Sequence, residues 1–283
     1  MVISKQTFDS ERALYALRDS RVEDCAFDGP ADGESAFKES RNIIVDRCFF
    51  NLRYPFWHTS GALIRECHLT DKCRAALWYD SGVTIENSRL HGIKALRESE
   101  KITLSLCDVI SPEFLWRCRD IKIKDTTMQS EYPFFECADI NIDNLTMKGK
   151  YSFQYVDGGT IVNSDLDTKD AFWHSKNLTV TDSIIKGEYL GWYSENLRLV
   201  RCKIIGTQPL CYCRGLVLED CQMEETDLSF EKSEVEAKII GNIVSVKNPV
   251  RGHVYADSIG EVILRGDDGS DFDASEVTID TKK

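Results

Sequence analysis

Residues 43–50 read Ile-Ile-Val-Asp-Arg-Cys-Phe-Phe, an alternating apolar pair followed by the small residue Cys48 and a further apolar residue. The pattern returns nine times with a period of about 19 residues, and a fixed period of this kind indicates a repeat architecture. Eight of the nine steps have this length. The step from Cys67 to Ser88 is longer by two because residues are inserted near Asp71 and Lys72. The equivalents of Cys48 are Cys67, Ser88, Cys107, Thr126, Leu145, Ser164, Ser183, Cys202 and Cys221.

A second register runs in phase with the first and is mostly aromatic. Its members are Trp57, Trp78, Arg97, Trp116, Phe135, Gln154, Trp173, Trp192, Cys211 and Phe230. Six positions before each member of the first register stands Gly, Asn, Asp or Lys, from Asn42 to Gly215. Gly, Asn and Asp tolerate positive φ, so this position is expected to be a turn. The apolar pairs alternate with period two, which is typical of strands.

Three short strands and three turns within each repeat predict an all-β fold, a parallel β-helix of about 11–12 coils. We expect a single domain over 1–283. Residues 1–40 would form an N-terminal cap and first coil, 41–232 regular coils, and 233–283 looser coils with an acidic tail. Val235 and Val254 are expected to start strands in the last part. A leucine-rich repeat is less suitable, because the position where it needs leucine carries Ser40, Thr59 and Asp80 in successive coils.

Net charge and cysteine content limit which partners and which cellular location are expected for the protein. The formal net charge is −12, which disfavours nucleic-acid binding. No stretch reaches the roughly 18 apolar residues of a membrane span, and no signal sequence is seen at the start, so a cytoplasmic location is expected. The 11 cysteines are then expected to be reduced. No carboxylate cluster or Cys–His spacing predicts a metal site, and no cofactor is expected.

The second register is expected to point outward, because the residue before each member is a typical core residue such as Phe56 or Leu77. Inward, Arg97 and Gln154 would be buried without an obvious partner. An exposed aromatic stripe of this length has two open explanations. The rings could stack on sugars, or a loop, the C-terminal tail or a second subunit could cover them.

Ionisable side chains flank this stripe, and stacking at about 4.8 Å per coil decides which of them meet. Glu98, Arg117 and Glu136 should form a salt-bridge ladder, and Lys94 should pair with Glu113. Asp170 and Glu188 fall on neighbouring coils within reach of each other. Candidates for proton transfer are Lys94, Arg97, Glu113, Asp170 and Glu188. Candidates for sugar binding are Trp57, Arg74, Trp78, Trp116, Lys169, Trp173 and Trp192.

Several longer motifs resemble a domain-of-unknown-function family within the pectin-lyase-like β-helix superfamily. They include Tyr54-Pro55-Phe56-Trp57, Arg74-Ala75-Ala76-Leu77-Trp78-Tyr79, Lys169-Asp170-Ala171-Phe172-Trp173 and Gly187-Glu188-Tyr189-Leu190-Gly191-Trp192. The resemblance covers nearly the whole chain and implies a right-handed, single-stranded β-helix. It implies no activity, since fold alone does not give function. The motifs fall largely on the third strand of each coil and the turn before it, where most of the candidate residues lie.

Two functions remain open at this point, and whether the protein is an enzyme is undecided. The first is binding or modification of a carbohydrate, an oligosaccharide or a small sugar, on the aromatic and charged third-strand face. The second is a non-enzymatic scaffold or homo-oligomer that uses the same face as an interface.

Overall fold

The computed structural model describes residues 1–266 and 268–282. The protein is an all-β parallel β-solenoid of about 14 coils with about 19 residues each, which confirms the predicted fold class. The described residues contain no helix, and hence none that could span a membrane. The chain divides into two compact units, Met1–Thr146 and Met147–Lys283. The coils number more than the 11 or 12 expected because residues 1–40 already form paired strands.

The strands of the first unit are short, mostly two to six residues, as the repeat predicts. They are β1 (Val2–Ser4), β2 (Thr7–Phe8), β3 (Arg18–Glu23), β4 (Ala26–Phe27), β5 (Arg41–Asp46), β6 (Phe49–Phe50), β7 (Phe56–Trp57), β8 (Ser60–Arg65), β9 (His68–Leu69), β10 (Leu77–Trp78), β11 (Ser81–Glu86), β12 (Arg89–His91), β13 (Leu96–Arg97), β14 (Glu100–Ser105), β15 (Asp108–Ile110), β16 (Glu113–Phe114), β17 (Arg119–Ser130) and β18 (Tyr132–Pro133).

The strand β19 (Ala138–Gly149) contains the boundary between the units. In the second unit the strands lengthen toward the C-terminus. They are β20 (Asp157–Val162), β21 (Asp165–Asp167), β22 (Lys176–Thr181), β23 (Ile184–Lys186), β24 (Arg198–Val200), β25 (Lys203–Ile205), β26 (Leu216–Glu224), β27 (Glu234–Lys247), β28 (Arg251–Ile263) and β29 (Val277–Thr281).

Strand pairing in the first unit follows the predicted register. Val83 pairs with Ile102 of the following coil and with Ala62 of the coil before it, so the coil with the two-residue insertion closes in register. An earlier coil is longer still, since Val22 pairs with Val45 across a loop of extra residues. Insertions therefore lengthen turns and leave the strands aligned.

In the second unit the regular step of the repeat holds as far as Leu216, which pairs with Val235. The step then shortens by two, because Val235 pairs with Gly252 rather than with Val254. Val254 consequently lies inside β28 rather than at its start, since the coil between β27 and β28 is shorter than the repeat. Val235 lies at the second position of β27, close to the strand start that was expected.

The inward positions form the core in both units. Phe27 and Phe50 stack in the first unit with ring centroids 4.6 Å apart, and Phe153 and Phe172 stack in the second at 5.1 Å. Residues of the alternating apolar pairs, such as Val45 and Ile64, are fully buried. Similar side chains thus repeat along each interior row and pack against each other.

The predicted Gly/Asn/Asp turn is confirmed, since every residue at that position has positive φ, including Lys101 at 56°. At least three further positions have positive φ. One precedes the Cys48 register, another follows the aromatic register and includes His58, and a third lies three residues before the aromatic register and includes Lys94 and Asp170. The first of these carries Asn or Asp in most coils, as at Asn87 and Asp125, so its residue types did signal this conformation, whereas the other two positions carry mostly residue types that do not.

Small side chains at two positions of most coils form hydrogen bonds with the turn backbone of the neighbouring coil. Stacked over successive coils, these two positions form two turn columns. The first turn column is the Cys48 register, in which the Cys67 amide donates to Ser88 Oγ at 3.0 Å while that hydroxyl donates to the Glu86 carbonyl at 2.7 Å. The second unit repeats the arrangement at Ser164 and Ser183. All 11 cysteines are free and buried, as expected for reduced thiols. Most of them occupy these columns, where the Sγ atom replaces the hydroxyl.

The second turn column follows the third strand and includes Thr59, Asp80 and Ser99. Ser99 Oγ accepts the Asp80 amide at 3.0 Å and donates to the Arg97 carbonyl at 2.8 Å. Asp80 accepts the Thr59 amide through Oδ1 at 2.7 Å, but its buried Oδ2 atom has no partner. Burial raises the pKa of Asp80 well above its ordinary value, although the backbone of Thr59 and Trp78 opposes the shift.

We predict that Asp80→Asn stabilises the protein at alkaline pH. Because the folded pKa lies above the unfolded one, the folded state holds a proton that the unfolded state releases. Wild-type stability should therefore fall as pH rises from the unfolded pKa through the folded pKa, whereas the amide keeps both a donor and an acceptor. Urea unfolding at about pH 4 and pH 8 should give an advantage of about 1–3 kcal/mol at the higher pH only. Asp120→Asn, at an exposed site, is the control; an equal gain at both pH values would contradict the idea.

Candidate functional site

The aromatic stripe is the part of the second register from Trp57 to Trp192, and its side chains are half-buried on the outer side of the coils. Phe56 and Leu77, which precede two of its members, are fully buried, so the predicted orientation holds for the stripe, whereas the last two members of the register, Cys211 and Phe230, are fully buried. In the first unit Trp57 and Trp78 stack with centroids 5.6 Å apart and planes 10° apart. The Lys38 ammonium lies 4.2 Å from the Trp57 ring and the Arg97 guanidinium 5.2 Å from the Trp78 ring. Both faces of this pair are therefore covered, and solvent meets ring edges.

Glu98 is the centre of a polar network beside this pair. Its carboxylate accepts Trp78 Nε1 at 2.8 Å and Arg97 Nη2 at 3.2 Å, and Arg117 Nη1 lies 3.8 Å away. Burial by itself would raise the pKa of Glu98, but hydrogen bonds from Tyr79, Trp78 and Arg97 lower it below the ordinary value. Arg117 continues to Glu136 at 2.7 Å. The predicted ladder of alternating charge is present.

The other charged candidates of the first unit lie nearby. Lys94 Nζ pairs with Glu113 Oε2 at 3.6 Å, as the coil spacing predicts. The Arg97 backbone bridges to Trp116, whose indole Nε1 donates to the Tyr132 carbonyl at 2.7 Å. Arg74 is exposed. Arg97 makes a cation–π contact and an ion pair, and Lys94 makes an ion pair. Both side chains therefore already have a stabilising role.

The second unit contains a separate aromatic group. Trp173 and Trp192 stack at 5.4 Å with planes 4° apart, and each Nε1 donates to a carbonyl, of Tyr189 and Gln208 respectively. Tyr189 meets Trp192 edge to face at 5.3 Å. As in the first unit, the inner ring faces cover each other. A sugar along these pairs would contact ring edges and the polar groups beside them.

Lys169, Asp170 and Glu188 come together next to these rings. Lys169 Nζ lies 2.9 Å from Glu188 Oε2 and 5.6 Å from the Tyr189 ring centroid. The Asp170 amide donates to the Glu188 carbonyl at 3.0 Å, so these two residues are on neighbouring coils as predicted. Burial raises the pKa of the Asp170 carboxyl; the Lys169 ammonium opposes this shift, whereas the Glu188 carboxylate adds to it. The group thus combines a carboxyl that favours its proton with a salt-bridged carboxylate.

An open groove of about 480 Å³, here the lysine–glutamate groove, lies at this point of the second unit. Two lysines and three acidic residues contribute to its walls. Gly187 and Gly206 are among its lining residues. A Cβ atom at Gly187 would stand 1.9 Å from the Thr168 carbonyl oxygen. A Cβ atom at Gly206 would stand 2.1 Å from the Gly187 carbonyl oxygen. The lining residues are Asp167, Thr168, Lys169, Lys186, Gly187, Glu188, Ile205, Gly206, Thr207 and Glu225.

The candidate residues thus fall into two groups, one in each unit, and the groove was not anticipated. Trp57, Arg74, Trp78, Lys94, Arg97, Glu113 and Trp116 belong to the first unit, and Lys169, Asp170, Trp173, Glu188 and Trp192 to the second. A signal for the groove was present, since Gly187 and Gly206 stand four residues after members of the Cys48 register. In the described ranges no group of three or more His, Cys, Asp or Glu side chains is arranged to hold a metal ion.

We predict that Glu98→Ala destabilises the protein by about 2–3 kcal/mol, because it leaves Trp78 Nε1 and the Arg97 guanidinium without their acceptor. Urea unfolding followed by circular dichroism measures the change. Glu136→Ala is the matched control at the exposed end of the same ladder, where a loss of about 0–1 kcal/mol is expected. Equal losses for the two variants would show that Glu98 is an ordinary surface charge.

The sequence matches over residues 1–279 the family described as protein of unknown function DUF3737. No curated protein matches it. Solved structures with similarity include a mannuronan C-5 epimerase module from Azotobacter vinelandii, with 11% identity and a TM-score of 0.45 over 99% of this chain and 89% of that chain. A pentapeptide repeat protein from the cyanobacterium Nostoc has 11% identity and a TM-score of 0.33 over 77% and 90%.

The catalytic domain of an α-1,3-glucanase has 10% identity and a TM-score of 0.34 over 100% of this chain and 63% of that chain. Similarity at this level establishes no shared activity, so the family match over residues 1–279 is the finding that identifies the protein. The chain belongs to this family of unknown function, DUF3737.

Proposed function

We propose that the protein binds a carbohydrate in the lysine–glutamate groove of the second unit. The observation that carries the proposal is the groove itself, whose lining contains the Lys169–Glu188 ion pair, with the Tyr189 ring in contact with Lys169. Its volume of about 480 Å³ is within the range of small-ligand sites.

The lining suits a ligand rich in hydroxyl groups. Such a ligand both donates and accepts hydrogen bonds, and the groove offers ammonium donors at Lys169 and Lys186, carboxylate acceptors at Asp167 and Glu188, and the Thr207 side chain. Hydrogen bonds to charged partners are stronger than those between neutral groups. The Ile205 side chain in the lining supplies apolar contact.

A second candidate function, hydrolysis of the bound sugar, is favoured by the environment of Asp170. Asp170 is buried and follows the lining residue Lys169 in the chain without itself lining the groove. Its raised pKa suits a general acid, and Glu188 on the adjacent coil would serve as the second carboxylate. Lys94, Arg97 and Glu113 remain predicted catalytic residues of the first unit, where their present contacts are ion pairs and a ring contact.

Isothermal titration of the full-length protein with neutral and acidic di- to tetrasaccharides tests the proposal. We expect at least one neutral sugar to bind, and the double variant Lys169→Ala/Glu188→Ala to weaken that binding by about tenfold or more, which corresponds to about 1.4 kcal/mol. The binding sugar should then be incubated with the protein, and its chromatogram examined for shorter products that Asp170→Asn abolishes.

The chain offers a matched control in Lys176→Ala/Glu195→Ala. This pair also joins equivalent positions of neighbouring coils and is similarly exposed, with a distance of 3.3 Å, but lines no part of the groove. Equal effects of the two double variants would contradict a site at Lys169 and Glu188. If no sugar binds and light scattering shows a dimer that the groove variant dissociates, the homo-oligomer hypothesis replaces the proposal.

A further inference from the structure

A second groove of about 550 Å³ lies in the same unit and shares Glu225 with the lysine–glutamate groove. Its walls include Glu224, Asn242 and Asp257, together with the side chains of Ile240 and Val244. Ile240 is 48% exposed and Val244 is 43% exposed, although large apolar side chains are usually buried in a core. The two grooves therefore meet at one residue.

The pairing register shows that the grooves follow the direction in which the coils stack. Asp167 pairs with Lys186, which pairs with Ile205, which pairs with Glu224. This row runs from the first groove into the second, and the next coils bring Asn242 opposite Ser258, beside Asp257. Five steps at about 4.8 Å give a length of about 24 Å. Such a trough is much longer than a single sugar ring.

The charges of the lining limit what can lie there. Carboxylates of Asp167, Glu188, Glu224, Glu225 and Asp257 line the two grooves, against the two ammonium groups already named. Three of these carboxylates have a lysine partner: Glu188 pairs with Lys169, Glu224 with Lys203 at 2.8 Å, and Asp257 with Lys282 at 4.0 Å. Acidic groups still exceed basic ones in the lining, which disfavours a ligand that carries carboxylates. Hydroxyl groups, in contrast, can donate to the carboxylates.

We infer that the two grooves form one binding site for a linear, non-acidic oligosaccharide that lies along the coil stack. The inference rests on the proposed function, because it requires that the lysine–glutamate groove binds sugar. The first groove holds one end of the chain of sugars, and Ile240 and Val244 pack against the apolar ring faces at the other end. Polyuronates are excluded by charge.

Titration calorimetry with a length series, from a disaccharide to a hexasaccharide, of the neutral sugar that binds tests the inference. Affinity should increase by about tenfold or more between the disaccharide and the longest members and then level off. Ile240→Ser should remove that gain and leave disaccharide affinity unchanged. Ile184→Ser is the control, because Ile184 is 41% exposed in the same unit and lines neither groove. Thermal unfolding verifies that each variant is folded.

The outcomes separate the inference from the proposed function. Disaccharide binding without length dependence, or with no effect of Ile240→Ser, would overturn the continuous site and leave the proposed function standing. Absence of binding by every sugar would remove both. Uronate oligomers that bind more tightly than neutral oligomers of equal length would overturn the stated ligand class.

Discussion

The structure depends on hydrogen bonds that small side chains make in the turns between coils. Residues with positive φ bend the backbone at three or more positions in the regular coils. At these bends some backbone N–H and C=O groups point into the interior. Each of them needs a hydrogen-bond partner there, because an unpaired buried amide is costly. Ser88 shows how this is met, since its hydroxyl accepts the Cys67 amide and donates to the Glu86 carbonyl. Most residues in these columns are small and both donate and accept, as serine, threonine and cysteine do, and Leu145 and Val156 are exceptions.

Once the turns are fixed in this way, each outward side chain meets its equivalent on the next coil about 4.8 Å away. Like residues then stack, as His174 and Tyr193 do at 5.0 Å, and opposite charges pair, as Arg117 and Glu136 do. The aromatic stripe follows from the same geometry, because its rings cover each other. A regular row of aromatic residues on a solenoid is therefore weak evidence for sugar stacking. Better evidence comes from places where the surface stays open, such as the groove at Gly187 and Gly206.

Features that follow from the spacing of the repeat could be predicted from the sequence, whereas the groove, which depends on how side chains fill space, could not. Strand register, core rows and the Lys94–Glu113 pair follow from spacing alone, because equivalent positions must stack. The groove could not be read in this way, since its volume depends on how the turns and side chains around Gly187 and Gly206 pack, and those glycines mark close backbone approach between coils rather than open space. The shortened coil between β27 and β28 was also missed, because Val254 fits the regular step as a sequence pattern although the pairing step there is shorter by two.

The coil with the two-residue insertion shows how an irregularity leaves polar atoms without partners. Three indoles of the stripe, those of Trp116, Trp173 and Trp192, donate to the carbonyl 16 residues later. The insertion falls within this interval after Trp57, whose buried Nε1 atom has no acceptor among the described residues. The next indole, of Trp78, uses the Glu98 carboxylate instead, although the step from Trp78 to Arg97 has the regular length. Glu98 therefore substitutes there for the backbone acceptor of the other indoles, which accounts for a half-buried carboxylate at this position.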